Sequence, residues 1–460
     1  MFNPLFKQDL KNTLNFSMPY MSSRLLNAVG WFISMAIIAQ LGKEFLACSV
    51  LVYSTLRFLQ LTTWSMMYSV SVVVGHAYGG KKYTDIGKIV RAGFLLACLI
   101  GVPATWLLWN IDILLMLLKQ PPALVALARP YFHIMAFTVL PSLWYVCFYK
   151  FAIGVSRPCL VLGTMLFGTP VGLLFTYALT FGKFGFPALG FVGSAYANVI
   201  MYACLCLGLL VYFILRAEFK VFRLFKKFGR TEWRYLKQLF KIGWPIGIEW
   251  GAMSLTYTFG TYMVGWLGVT ALAAHQVATQ YVNFAVMIPY SVAHASAVLV
   301  AQGLGTKRSK LIDQIGYVGI GLTATLIGLI SLSYWIFPDF LIAAYVNVHD
   351  AENVGIIALA TTLLMLVGIS QLADSAGAVA TGALRGFQDT RMPMWISLIC
   401  NWGIIVPLSY ICAFVLNFGV AGIYFGCIVG SIISSIWLIS RWKYMCTSEM
   451  VIRFLAKNDK

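Results

Sequence analysis

Apolar residues run through this chain in twelve long stretches, separated by short segments that carry nearly all of its charge. The stretches lie at about 14–38, 46–78, 88–110, 124–150, 159–181 and 188–215, then at 242–265, 271–304, 313–337, 353–384, 392–416 and 419–446. Crossing a bilayer core of about 30 Å takes roughly 20 apolar residues in a helix. Each stretch therefore predicts a membrane-spanning helix, and the longer ones tilt or project. Pro19, Pro103, Pro141, Pro170, Pro245, Pro289 and Pro407 fall inside these stretches, where membranes tolerate kinks. The pattern predicts an all-α membrane protein.

Composition supports that class: 60% hydrophobic, 10% charged and a mean hydropathy of +0.83 over 460 residues. The net charge of +18 would suit a nucleic-acid binder, but the basic residues sit in short segments between spans. They read as topology signals and anionic-lipid contacts, so no nucleic-acid partner is expected. One side holds Lys7 and Lys11; Lys81, Lys82, Lys88 and Arg91; Arg157; and nine basic residues from Arg216 to Lys241. The same side holds Lys307, Arg308, Lys310, Arg385, Arg391, Arg441, Lys443, Arg453, Lys457 and Lys460. The opposite side holds Lys43, Lys119 and Lys183, so both termini are expected in the cytoplasm. No cleavable signal peptide is visible. The ten cysteines are scattered without a CxxC, which predicts reduced, buried thiols and no metal site.

The two halves repeat at an offset of 226. Pro19 matches Pro245, Leu41–Gly42 matches Leu267–Gly268, Leu46–Ala47 matches Leu272–Ala273, and Gly79 matches Gly305. VVVGHAYGGKK (72–82) overlays VLVAQGLGTKR (298–308) at that same offset. Six spans per half give both halves one orientation and a pseudo-twofold axis along the membrane normal, with a cleft between them. The expected organisation is a first lobe at 1–215, a basic cytoplasmic linker at 216–241 and a second lobe at 242–460.

Candidate chemistry centres on LADSAGAVATGALRGFQDTR (372–391). Asp374 lies in a run of small residues, eleven before Arg385. At ~1.5 Å per residue it stands roughly 16 Å from that charged edge, near mid-depth. A carboxylate there is costly unless paired, solvated or protonated, which makes it a functional candidate by default. Gln276, Gln280 and Asn283 share one face of the eighth span, as a polar cleft wall or as interhelical hydrogen-bond glue. Arg57 sits mid-span at the position matching Asn283; it is expected to face the cleft or to pair with an acid. Arg24, near a span end, is expected to snorkel. His76, His275 and His294 read as helix-packing residues. Tyr257, Tyr281 and Trp250 are candidates for an aromatic cavity that holds cations by cation–π attraction. Catalytic signatures are missing: there is no GxxxxGK[ST] loop, GxSxG elbow or HExxH, and His349–Asp350 reads as an ordinary loop pair. Energy for transport would come from an ion gradient.

The motifs ALAAHQVA (271–278), ATGALRGFQDT (380–390), NWGIIVPLSY (401–410) and FGFPALGFVGSAYAN (184–198) carry a family resemblance. Over nearly its whole length the chain resembles the multidrug and toxic compound extrusion (MATE) transporters, NorM-like branch. The resemblance implies twelve helices in two six-helix lobes forming a V, and export of organic cations or drugs against inward H⁺ or Na⁺. It implies no enzyme activity and no cofactor, with a monomer in the cell membrane as the working form. Asp374 falls where the branch carries its coupling aspartate. Departures are specific. Ser34 stands where the family often has an acid in the first helix. In the seventh helix the acid usual eight residues after the proline is replaced by Met253, and Glu249 stands four after Pro245. Glu249 is either a second coupling acid or an approximation to one. A lone Asp374 can exchange a proton for an organic cation, whereas Na⁺ wants several convergent oxygens, so H⁺ is favoured as coupling ion. The alternative from the same architecture is a lipid-linked oligosaccharide flippase, for which Arg57 is the single deep basic candidate.

Overall fold

The computed structural model describes residues 4–117, 120–224, 229–306, 309–346, 353–447 and 450. Lys119, Lys307, Arg308, His349, Asp350, Arg453, Lys457, Lys460 and linker residues 225–228 lie outside the described residues. Among the described residues all regular structure is helical. The chain divides into two compact units, Pro19–Gly247 and Met1–Met18 with Ile248–Lys460. The basic linker thus counts with the first unit, and the helical segment before Pro19 with the second.

The first unit takes in most of α1 (Pro4–Ala39), then α2 (Lys43–Met66), α3 (Tyr68–Gly79), α4 (Tyr83–Trp109) and α5 (Ile111–Leu117). It continues with α6 (Pro122–Gly154), α7 (Cys159–Phe181), α8 (Phe191–Leu215), the short α9 (Ala217–Lys220) and the start of α10 (Arg230–Trp266). The predicted second span is two helices, broken at Met67, whose ψ of −7° departs from helical geometry. One core packs Ile38, Val52, Leu108, Tyr131 and Phe132.

The linker is docked rather than loose. Arg91 of α4 donates to the carbonyls of Arg223 and Leu224 at 2.8 and 3.2 Å and pairs with Glu232 at 2.8 Å. Glu232 also accepts from the Gly229 amide at 2.9 Å, one arm of a capping box at the start of α10. Burial works against the Glu232 charge, but these hydrogen bonds and its own amide outweigh it and hold the carboxyl below its ordinary range.

The second unit holds the rest of α10, then α11 (Val269–Ala285), α12 (Met287–Gly305), α13 (Ser309–Ile336) and α14 (Pro338–Ala343). After these come α15 (Val354–Gly386), α16 (Arg391–Leu398), α17 (Val406–Tyr410) and α18 (Gly419–Met445). The predicted eighth span is again two helices, α11 and α12, meeting at Val286. Around Pro407 the eleventh span widens into π-helical turns at Ile399–Ile405 and Ile411–Val415, which absorb the missing proline N–H.

Among the described residues, ten helices are long and apolar enough to cross a membrane. The predicted second and seventh spans are the two not among them. Their helices, α2 and α10, are diluted by Ser, Thr, Tyr and Gly. The 226-residue repeat reaches the backbone. Gly42 caps α2 at φ +119°, and Gly268 caps α11 at φ +112°. Both lie in a region that only glycine enters without strain.

Candidate functional site

Ser431, Tyr257 and Cys427, the side chains that interact with Asp374, belong to the second unit. Helix α15 is long, begins in an apolar run and becomes small-residue-rich after Leu372. The small residues let it approach its neighbours. A Cβ on Gly386 would stand 2.7 Å from the Ala297 carbonyl of α12, and one on Gly382 would overlap the Ala293 carbonyl. This close seam is the physical content of the GALRG motif. The helix ends with Gln388 at φ +60° and with the Asp389 amide bonded back to the Leu384 carbonyl at 3.1 Å. Arg441 of α18 then holds Asp389 at 2.9 Å. The far end of α15 is therefore pinned to α12 and α18.

Eleven residues before Arg385, Asp374 has an exposed side chain and makes no ion pair with a described residue. Its polar neighbours are neutral. Ser431 of α18, the Tyr257 phenol and the Cys427 thiol stand close enough to it to interact electrostatically. Tyr257, on α10, is 53% exposed. Tyr290 of α12 is the next aromatic group in this neighbourhood; it packs on Trp250 with centroids 4.8 Å apart and points its hydroxyl at the Met253 sulfur, 3.5 Å away. The arrangement presents one carboxylate beside aromatic rings and hydroxyls, able to hold a proton or a cation.

Glu249 is committed elsewhere. It is 8% exposed and accepts from Arg385 Nη2 at 2.9 Å; Arg385 is itself 6% exposed. The charged edge expected at Arg385 is thus an interior ion pair joining α10 to α15. One turn on from Glu249 stands Met253.

The other predicted residues separate. Gln276 is exposed, Gln280 and Asn283 are half-buried, and none makes a side-chain hydrogen bond to a described residue, so they are not interhelical glue. Tyr281 is tied into the packing around α14. Its hydroxyl donates to the Leu341 carbonyl at 2.7 Å and its ring packs on Tyr334 and Tyr345, because α14 folds back over that face. Arg57 is exposed and forms no ion pair with a described acid; the expected partner is not there. Ser34 is half-buried on α1, in the other unit.

Sequence reasoning missed two clusters. His275 does more than pack: its Nδ1 meets the Tyr424 hydroxyl at 2.8 Å, and its Nε2 lies 3.4 Å from both Thr261 and Thr279, tying α10, α11 and α18 together. The ALAAHQVA motif was the available signal. In the first unit, Lys150 is 1% exposed, its ammonium 3.3 Å from the Tyr68 ring centroid and 4.6 Å from that of Tyr149. Arg24 does not snorkel; its guanidinium donates to the Tyr20 hydroxyl at 3.2 Å in the same cluster. Among the described residues no group of His, Cys, Asp and Glu is placed to hold a metal ion.

A sequence model of the MatE family matches residues 19–178 and 245–411. A probable multidrug resistance protein NorM from Agrobacterium fabrum is 30% identical over 444 residues, covering 96% of this chain and 95% of the relative. One of the same name from Brucella suis is 28% identical, covering 94% and 92%. Among solved structures, the Vibrio cholerae MATE transporter VcmN in its bent form superposes with a TM-score of 0.85 at 17% identity, covering 97% of this chain and 99% of that one.

Proposed function

The chain belongs to the MatE family, membrane transporters rather than enzymes, and on that premise we propose that it exports organic cations in exchange for protons through Asp374. Asp374 carries the reading. It is a carboxylate inside a span, outside any ion pair with a described residue, with only neutral polar neighbours. An organic cation and a proton both neutralise this one charge, so each displaces the other. If the two loaded forms favour opposite-facing states, that difference in affinity drives alternation without a nucleotide. Multidrug names on relatives with about 28–30% identity support drugs and organic cations as the substrate class. The basic linker and the other positive segments support cytoplasmic termini in the cell membrane, with lobes 1–215 and 242–460 joined by 216–241.

Proton coupling is favoured over Na⁺ by the commitment of Glu249 to Arg385, which removes a second carboxylate from the Asp374 surroundings. Ser431 and Tyr257 are hydroxyl neighbours of Asp374 among the described residues, and dehydrated Na⁺ asks for several convergent oxygens. The test is ethidium export in proteoliposomes under ΔpH and ΔNa⁺ imposed separately. Export that follows ΔpH supports the reading. Export that follows ΔNa⁺ and ignores ΔpH overturns the ion, and export that follows neither overturns the function.

A further inference from the structure

The repeat gives each unit a matching polar cluster, and the two differ in charge. In the second unit Glu249 of α10 meets Arg385 of α15 at 2.9 Å, and the charges cancel. At the 226-residue offset Glu249 matches Ser23 of α1, whose hydroxyl donates to the Tyr20 carbonyl at 2.7 Å. Helices α6 and α15, each 33 residues long, end at Gly154 and Gly386 and carry Lys150 and Arg385 close to those ends. The first unit thus keeps a basic residue on the matching helix but has no acid at the matching position.

The first unit's cluster is built around Tyr20 by α1, α3 and α6. The Tyr20 hydroxyl accepts from Arg24 at 3.2 Å and lies 3.2 Å from the hydroxyl of Tyr149 and 3.5 Å from that of Tyr68. The Tyr20 and Tyr149 rings stack with centroids 6.3 Å apart, and the buried Lys150 ammonium stands over Tyr68 and Tyr149. Lys150 and Arg24 are the charged groups that act on Tyr20, and the groups that act on Arg24 are the three phenols. Arg24 makes no ion pair with a described acid. It is a guanidinium inside a span, beside a second cation and side chains that are neutral in their ordinary form, which is a costly setting without an anion.

Arg24 is half-buried, so it can be reached. One of its N–H groups is bonded to Tyr20, and the others make no hydrogen bond to a described residue. They form a planar fork suited to two oxygens of one anion. Tyr149, also half-buried, places its hydroxyl as near to the Tyr20 oxygen as Arg24 does, ready to donate to a third oxygen. A fork and a hydroxyl together suit a phosphate group.

We propose that Arg24 and the Tyr149 hydroxyl, with the Lys150 charge behind them, bind a phosphate-type oxyanion, carried by a lipid headgroup or by a free phosphate ester. Asp374 belongs to the other unit and takes no part in this site.

The test uses purified full-length protein in an uncharged detergent, with ionic strength held constant by sodium chloride. Dimethyl phosphate is titrated in one arm and dioleoylphosphatidylglycerol in mixed micelles in the other, with dioleoylphosphatidylcholine as the zwitterionic control. The quantity read is the temperature at which half the protein survives on size-exclusion chromatography. Wild type is expected to show a saturable rise of a few degrees in at least one arm, as a ligand of the folded state produces. Arg24→Gln is expected to weaken the apparent affinity by about tenfold or more, the loss of a charged hydrogen bond. Tyr149→Phe, which keeps the ring over Lys150, is expected to weaken it several-fold. Arg24→Lys keeps the charge without the fork and is also expected to weaken it, so the test stands even where Arg24→Gln does not fold. A rise with dimethyl phosphate supports the site and identifies a free phosphate ester as sufficient. A rise confined to phosphatidylglycerol supports it and identifies the lipid headgroup. No saturable rise in either arm overturns the proposal, because the cluster is then complete as it stands. Wild-type affinity in the folded Arg24 and Tyr149 variants also overturns it, and places the anion on the exposed basic segments instead.

Discussion

Removing either partner of the Glu249–Arg385 pair is the perturbation whose size the structure bounds best. The two groups are almost fully buried and meet at 2.9 Å, so bulk solvent has little access to either once its partner is deleted. Glu249→Gln leaves a buried guanidinium without its counter-ion, and Arg385→Met leaves a buried carboxylate. Each single change is expected to destabilise by about 3–5 kcal/mol. The double change removes both charges and should recover much of that loss, since a buried pair replaced as a unit is often near neutral. Single losses of that size that largely cancel in the double variant require an interaction term above the ~0.5–3 kcal/mol usual for residues in contact. The assay is survival of detergent-solubilised protein across a temperature series, read by size-exclusion chromatography on all four forms. Single variants indistinguishable from wild type, or losses that simply add in the double variant, would refute the claim that the pair is locked.

Three further outcomes follow from individual contacts. Tyr281→Phe removes the 2.7 Å hydrogen bond to Leu341 and is expected to cost about 1 kcal/mol of stability with efflux unchanged; lost efflux in a stable variant would return Tyr281 to the transport site. Gly386→Ala gains up to about 1 kcal/mol of helix propensity but forces a Cβ to 2.7 Å from the Ala297 carbonyl, so overpacking of about 1–3 kcal/mol should win and lower thermal stability; a stabilised variant would contradict the α12–α15 seam. Glu232 has its carboxyl held below the ordinary value, so its contribution is present above that value and lost as pH falls through the folded one. Stability of wild type should therefore drop below about pH 4.3, and Glu232→Gln should flatten that part of the profile; parallel profiles would remove Glu232 as its source.

What could be read from the sequence follows the range of the forces involved. Span positions were legible because burial in lipid imposes a long apolar run on each helix, and the Gly42 and Gly268 caps were legible as a repeat. The break at Met67 was not, since neither it nor its immediate neighbours is Pro or Gly; the break at Val286 was signalled by Pro289, which cannot bond to the Ala285 carbonyl four residues back. The linker looked like surface charge because its anchor, Arg91, stands 141 residues from Glu232. Glu249 and Arg385 are 136 residues apart, and only tertiary packing brings them together. Even so, a lone arginine in the small-residue run at 380–386 needed an acid, and a displaced glutamate one turn from its usual place was available. The Tyr281 contact was hidden for a different reason: α14, whose Leu341 carbonyl accepts from its hydroxyl, comes from a short apolar stretch without spanning periodicity.

Proton release on drug binding tests the role of Asp374 most directly. Purified protein in weakly buffered detergent solution is titrated with tetraphenylphosphonium, a singly charged cation, while a pH dye reports protons and equilibrium dialysis reports bound cation. The titration is repeated from neutral down to acidic pH. If Asp374 trades a proton for the cation, release should climb toward one proton per cation bound as the solution is acidified, and Asp374→Asn should release none while still eluting as a folded monodisperse protein. Cation binding without proton release at every pH in wild type, or undiminished release in Asp374→Asn, would contradict the assignment.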